Sequence, residues 1–177
     1  AFMMDLDREL WRLGIPATFY VCPGLADSGR WLWNHEARAR LATLNAEERD
    51  ALVREIQAPA VAAEQVISWM KVLGPERRTY VEEALRASTP RFQPTDEQRA
   101  VHDVLGWDEI REFDPQIVTI GSHGMNHAIL PTLPDAALVE EIDGSRQRLE
   151  ERLGRPVEHF CYPNGSEDAR VRALVRE

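Results

Sequence analysis

Three short runs of β-forming residues punctuate the chain, and helical periodicity fills most of the space between them. Ala17-Thr18-Phe19-Tyr20-Val21-Cys22 follows Gly14 and Pro16 and stops at Pro23-Gly24. Gln116-Ile117-Val118-Thr119-Ile120 ends at Gly121, and Val157-Glu158-His159-Phe160-Cys161 ends in Tyr162-Pro163-Asn164-Gly165. Runs with so little alternation suit strands buried on both faces of a parallel sheet. Ahead of the first run, Met3, Leu6, Leu10 and Leu13 share one helical face that Gly14 closes. Between the second and third, Leu138, Ile142, Leu149 and Leu153 share another, with Gly154 as its C-terminal cap. This alternation with short connections predicts an α/β architecture with parallel strands.

Residues from about 30 to 107 break that rhythm. Asn45 with Glu48, and Thr95 with Gln98, have the spacing of helix capping boxes. Val66, Met70 and Leu73 mark a helical face closed by Gly74-Pro75, and Tyr80, Val81, Ala84 and Leu85 continue the spacing to Ser88-Thr89-Pro90. The pattern predicts an all-helical insertion between two strands. Its Trp31, Trp33 and Trp69 are expected to pack a core rather than form a sugar platform.

Composition narrows the function classes. The chain has 177 residues, 44% apolar and 29% charged, which suits one globular domain. No run reaches the roughly 18 apolar residues of a membrane helix, so no membrane span is expected. Thirty acidic against 21 basic residues leave a formal charge of −9 without a Lys/Arg cluster. That balance argues against a nucleic acid or an anionic membrane as partner. Two cysteines do not make a disulfide scaffold. Ala1-Phe2-Met3-Met4 leads straight into the first helical pattern, with no basic n-region or apolar h-region. The chain therefore reads as a fragment that starts inside an element, and compartment is not legible in it.

The strongest chemical signal is Ile120-Gly121-Ser122-His123-Gly124-Met125-Asn126-His127. Two imidazoles lie four residues apart just after a strand, at the end where parallel α/β folds place their sites. Imidazole nitrogens ligate Zn²⁺, and a catalytic zinc takes three protein ligands plus a water. Gly124 stands where the metalloprotease helix motif has its Glu, so that motif is excluded. On spacing alone, two unrelated histidines are an equally good reading. His35, His102 and His159 have no ligand-like context. The second signal is the turn Tyr162-Pro163-Asn164-Gly165, either an ordinary Asn-Gly turn or one that aims a backbone N–H at a developing oxyanion. Asn164-Gly165-Ser166 also matches a glycosylation sequon, a three-residue pattern too short to weigh. Cys22 and Cys161, both at strand ends, could complete a Cys₂His₂ zinc site or serve as small buried residues.

Taken in order, four segments resemble one known family: Gly14 to Val21, Trp107-Asp108-Glu109-Ile110, Ile120 to His123 with His127, and Leu149 to Val157 leading into Phe160-Cys161-Tyr162-Pro163-Asn164-Gly165. The chain resembles the polysaccharide deacetylases, the NodB-homology domain of carbohydrate esterase family 4. The likeness covers residues 1–24 and 107–177 and leaves the helical insertion as an extra. It implies an incomplete distorted (β/α) barrel of NodB type that hydrolyses N-acetyl groups of an acetylated amino-sugar polysaccharide with a divalent metal, most commonly Zn²⁺.

By that resemblance His123 and His127 are the two metal-binding histidines, Asn164 offers its backbone N–H to the oxyanion, and Tyr162 and Pro163 bind substrate. The family's third ligand and its general base form an Asp pair after a Thr-Phe on the first strand, and a later His is the general acid. None of these is found in residues 1–177, and Asp5 and Asp7 fall within the first helical pattern. Relatives with Arg-Pro-Pro-Tyr-Gly at the third motif place an Arg where this chain has Cys161 and a Tyr where it has Asn164, which removes a positive charge near the base. Two rival readings are an inactive barrel that holds a glycan and a metal-dependent hydrolase of a small non-peptide amide. An Asp pair upstream favours the enzyme over the binding barrel.

Overall fold

The computed structural model describes the backbone of residues 2–176 and the side chains of residues 8–176. In chain order the elements are α1 (Phe2–Leu13), β1 (Ala17–Val21), α2 (Pro23–Ser28), α3 (Trp33–Thr43), α4 (Ala46–Glu55), α5 (Ala63–Met70), α6 (Pro75–Ser88), α7 (Asp96–His102), α8 (Trp107–Glu112), β2 (Val118–Ser122), α9 (Asp135–Val139), α10 (Ser145–Leu153) and α11 (Ala169–Val175). A π-helical turn, Glu140–Gly144, joins α9 to α10. The chain divides into two compact units, Ala1–Arg30 with Asp103–Glu177, and Trp31–His102.

In the first unit β1 and β2 pair in parallel, with Ala17 opposite Val118 and Val21 opposite Ser122. Val118 and Ile120 are buried with Ile110, Phe113, Leu149 and Val157, and Phe19 meets the Phe113 ring edge-on at 4.9 Å. The third expected strand shrinks to one parallel bridge between Ser122 and Phe160. Ser122 N–H donates to the His159 carbonyl (2.7 Å) and Cys161 N–H to the Ser122 carbonyl (2.9 Å). The reason is local: Val157 N–H is already held by the Glu150 carboxylate at 3.0 Å, so pairing starts only at the carboxyl end of β2. The class is α/β, and the sheet of the described residues has two strands and is not closed.

The long helix between the second and third runs buries Leu138, Ile142 and Leu149 as its spacing requires. A π turn interrupts it at Gly144, a residue that weakens helix interiors. Ile142 and Leu138 also close a second core with Ala128, Leu130, Leu133 and Val171. Asp27 ties α2 to α8 and α10. Its carboxylate accepts from Trp107 Nε1 (2.8 Å), Arg148 Nε (2.9 Å) and an Arg152 guanidinium nitrogen (2.9 Å). In α1, Leu10 is half-buried and Leu13 exposed, while the side chains of Met3, Asp5, Leu6 and Asp7 lie outside the described residues.

The second unit is entirely helical. Leu41, Leu52, Ile56, Val66, Met70 and Val81 form its interior, with Trp31 and Trp33 buried and Trp69 half-buried. Both expected capping boxes are present. Asn45 and Glu48 exchange side-chain and backbone bonds at the start of α4, and Thr95 and Gln98 do so ahead of α7. α5 stops at Met70, leaving Leu73 in the turn before Pro75 opens α6. His35 and His102, far apart in sequence, bring their rings to 4.5 Å, with Trp31 against His102 at 5.1 Å.

Candidate metal centre

β2 delivers His123 directly beyond its last residue, and the ladder persists through it, since His123 N–H donates to the Val21 carbonyl at 2.9 Å. The loop then turns through Gly124 at φ +77 and reaches His127 at φ 58. Left-handed backbone at a side chain as large as imidazole is uncommon and persists only where the surroundings enforce it. Here they do: His127 is 7% exposed, and the two imidazole rings stand 4.8 Å apart, tilted 68°.

The third motif closes on this loop. His123 Nδ1 lies 2.7 Å from the Cys161 carbonyl oxygen. A carbonyl can only accept, so Nδ1 carries the proton and the lone pair sits on Nε2, the arrangement found in metal-ligating histidines. Pro163 comes alongside as well, since a Cβ built at Gly124 would lie 3.5 Å from its Cγ. Asn164 has φ 56, so two of the three non-glycine residues at positive φ among the described residues belong to these two motifs. Gly165 N–H bonds the Tyr162 carbonyl and Ser166 N–H the Pro163 carbonyl, which leaves the Asn164 N–H outside the turn's own bonding. Tyr162 is half-buried against Phe160, ring centroids 5.5 Å apart, so part of it serves the core.

Cys22 is present at the same end but with its thiol engaged. Its Sγ donates to the His123 carbonyl at 3.1 Å, and burial pushes the thiol up to about 12, aided by the nearby Glu141 charge. A buried thiol already donating to a backbone carbonyl fits a packing role. Among the described residues no three His, Cys, Asp or Glu side chains cluster as a metal site. The donor set therefore fits two imidazole ligands, with the tautomer of one fixed. Of the other histidines, His35 and His102 belong to the helical unit, and His159 is exposed.

Three supporting residues were not legible as functional from sequence. Ser145 Oγ donates to the Ile142 carbonyl (2.8 Å), so it must accept from Ser122 Oγ (2.6 Å). Ser122 Oγ in turn accepts from Gly124 N–H at 3.3 Å. This chain of hydroxyls fixes the loop's first bend against the helix. Glu141, 7% exposed, turns its carboxylate to the Asn126 N–H, with its oxygens at 3.1 and 3.2 Å. Burial raises the Glu141 carboxyl above the usual value, opposed by the backbone N–H groups of Asn126 and Ala128. The available signal was positional: Ser145 falls on the same helical face as Leu138, Ile142 and Leu149, where a polar residue needs a partner.

No curated protein matches the chain. A polysaccharide deacetylase from Bacillus cereus, known from a crystal structure, is 33% identical over 42% of this chain and 23% of its own length, with a TM-score of 0.39. The matched part thus spans less than a quarter of that protein. The family pattern described as polysaccharide deacetylase matches residues 5–177. With nearly the whole sequence inside that pattern, the chain belongs to the polysaccharide deacetylase family.

Proposed function

We propose that this chain is part of a metal-dependent deacetylase that hydrolyses N-acetyl groups of an amino-sugar polysaccharide. In this reading the stretch from about residue 30 to 107 is a helical insertion in a distorted barrel. The observation that supports this best is the pair of facing imidazoles at the end of β2, with His123 Nδ1 committed to the Cys161 carbonyl.

His123 and His127 are the residues that would hold the metal, and two neutral imidazoles match Zn²⁺ well. When bound, such a metal polarises the amide carbonyl and brings the pKa of an attacking water towards neutrality. The chain's own contribution is orientation. The Cys161 carbonyl fixes the His123 tautomer, and the exposed turn offers the Asn164 N–H to negative charge developing on the carbonyl oxygen. Tyr162, half-buried, and Pro163, buried beside Gly124, are the residues we assign to the substrate side of that turn. A carboxylate base, an acid and a third ligand complete the family's chemistry, and residues 1–177 hold none of the family's motifs for them.

Equilibrium dialysis of the chain against Zn²⁺ tests this reading. We expect one site per chain, lost in His123→Ala and in His127→Ala. Zn²⁺ uptake unchanged in both variants rules out the assignment.

A further inference from the structure

We propose that Glu141 is a positioning residue that holds the His123–His127 loop in its ligating shape, an inference that rests on the reading of the two histidines as metal ligands. Both oxygens of its carboxylate lie within hydrogen-bond distance of the Asn126 N–H, directly ahead of His127. The backbone of the same residue acts too, because the Glu141 carbonyl accepts from Met125 N–H at 3.1 Å. One residue thus satisfies successive donors of a loop that has no regular structure, and a buried loop needs such partners.

Two further features follow from this placement. Glu141 lies in the π turn, where the helical bonding shifts by one residue, and such turns recur at functional positions. A Cβ at position 124 would lie 2.8 Å from Glu141 Oε2, and its φ of +77 favours glycine as well. The carboxylate and the glycine backbone are therefore fitted to each other. Holding His127 at φ 58 needs an enforcing contact, and the bond to the residue just ahead of it supplies one.

The test compares Glu141→Gln, Glu141→Ala and a control, Ile142→Val, which trims a buried methyl from the same turn. Zn²⁺ affinity is read by competition with a chromophoric chelator, thermal unfolding is read without metal, and ring-to-ring NOEs between the two imidazoles are read in the metal-free chain. Losing an outer-shell partner costs ~10–100-fold in metal affinity. We expect Glu141→Gln to weaken Zn²⁺ about 10-fold and Glu141→Ala more, with the imidazole NOE diminished in both. Ile142→Val should lower the unfolding midpoint and keep both affinity and NOE. Unchanged affinity and NOE in Glu141→Gln and Glu141→Ala overturn the proposal, as does an affinity loss in Ile142→Val that matches theirs. If Glu141→Ala does not fold, Glu141→Gln alone decides by the same two readouts. If Zn²⁺ binding is insensitive to the histidines, the metal reading has failed, and the NOE still decides whether Glu141 sets the loop.

Discussion

His123 Nδ1 and the Cys161 carbonyl oxygen meet at 2.7 Å across 38 residues of chain, and that bond joins the two motifs of the proposed site. It explains why β2 and the run after α10 touch at only one bridge and still form a site. Cys161 N–H bonds the Ser122 carbonyl, and the Cys161 carbonyl, facing the same neighbour, meets the next side chain along, His123. The group that counts is a backbone carbonyl. A family position that carries Arg in some relatives can therefore carry Cys161 here without disturbing this contact.

The hydroxyl chain beneath the loop gives the first prediction. Ser145→Ala removes the acceptor of the Ser122 O–H and leaves it in a site where both serines are at most 2% exposed. A buried donor left without its partner costs about 1–3 kcal/mol. Urea unfolding should show a lowered midpoint with unchanged slope. Ser145→Cys, which retains a weak acceptor, should recover part of the loss, and equal stability of wild type and Ser145→Ala would refute the relay.

Gly124 offers a sharper test of the loop. At φ +77 any Cβ carries the left-handed penalty of roughly 1–2 kcal/mol, and here it also meets the Glu141 carboxylate. Gly124→Ala should therefore lose stability and Zn²⁺ binding together. Gly154→Ala is the control: its φ is +67 but nothing lies within 4 Å of its Cβ, so it should lose stability alone. Zn²⁺ binding retained in Gly124→Ala would show that the fit to Glu141 does not matter.

What could be read in the sequence was whatever local periodicity controls. β1, β2, the capping boxes at Asn45 and Thr95 and the buried face of Leu138, Ile142 and Leu149 all follow from spacing alone. The single bridge at Phe160 did not, because a carboxylate on α10 takes the Val157 N–H before a strand can use it. The π turn and Glu141 were equally hidden. By residue type Glu141 reads as solvated surface, and its burial goes with the amides of residues 125 and 126, which only the folded loop presents. The facing of His35 and His102 is tertiary in the same sense.

The helical unit should lose stability with acid in two stages. Burial, then the His102 and Arg38 charges, hold His35 below its ordinary value. For Glu36, burial alone would raise the carboxyl, but the hydrogen bonds from Arg86 and Arg40 outweigh it and hold the group below the usual range. In both cases the unfolded chain takes up the proton at a higher pH than the folded one, so stability falls as pH falls. The first loss should begin near the ordinary His value of about 6.5 and the second near the ordinary carboxylate value of about 4. His35→Asn should flatten the first stage and Glu36→Gln the second in chemical unfolding followed from pH 8 to 3. A wild-type profile flat across that range would contradict both assignments.

Asn164 provides the test of the oxyanion role. Its φ of 56 is one that Asn tolerates better than most residues and that glycine adopts freely. If only its backbone N–H works, Asn164→Gly should keep most of the activity in a form of the protein that carries the family's Asp pair and acid. Proline is a poor probe here, because its ring fixes φ near −65° and would break the turn while removing the N–H. A backbone ester at residue 164, with oxygen in place of the N–H, deletes the donor and preserves the turn. Losing one oxyanion donor costs about 10²–10³ in turnover. The ester should show that loss in acetate release from an N-acetylglucosamine oligomer, with KM changing less and bound metal unchanged. If Asn164→Gly is as impaired as the ester while its metal content and unfolding midpoint match wild type, the side chain carries the function and the backbone does not.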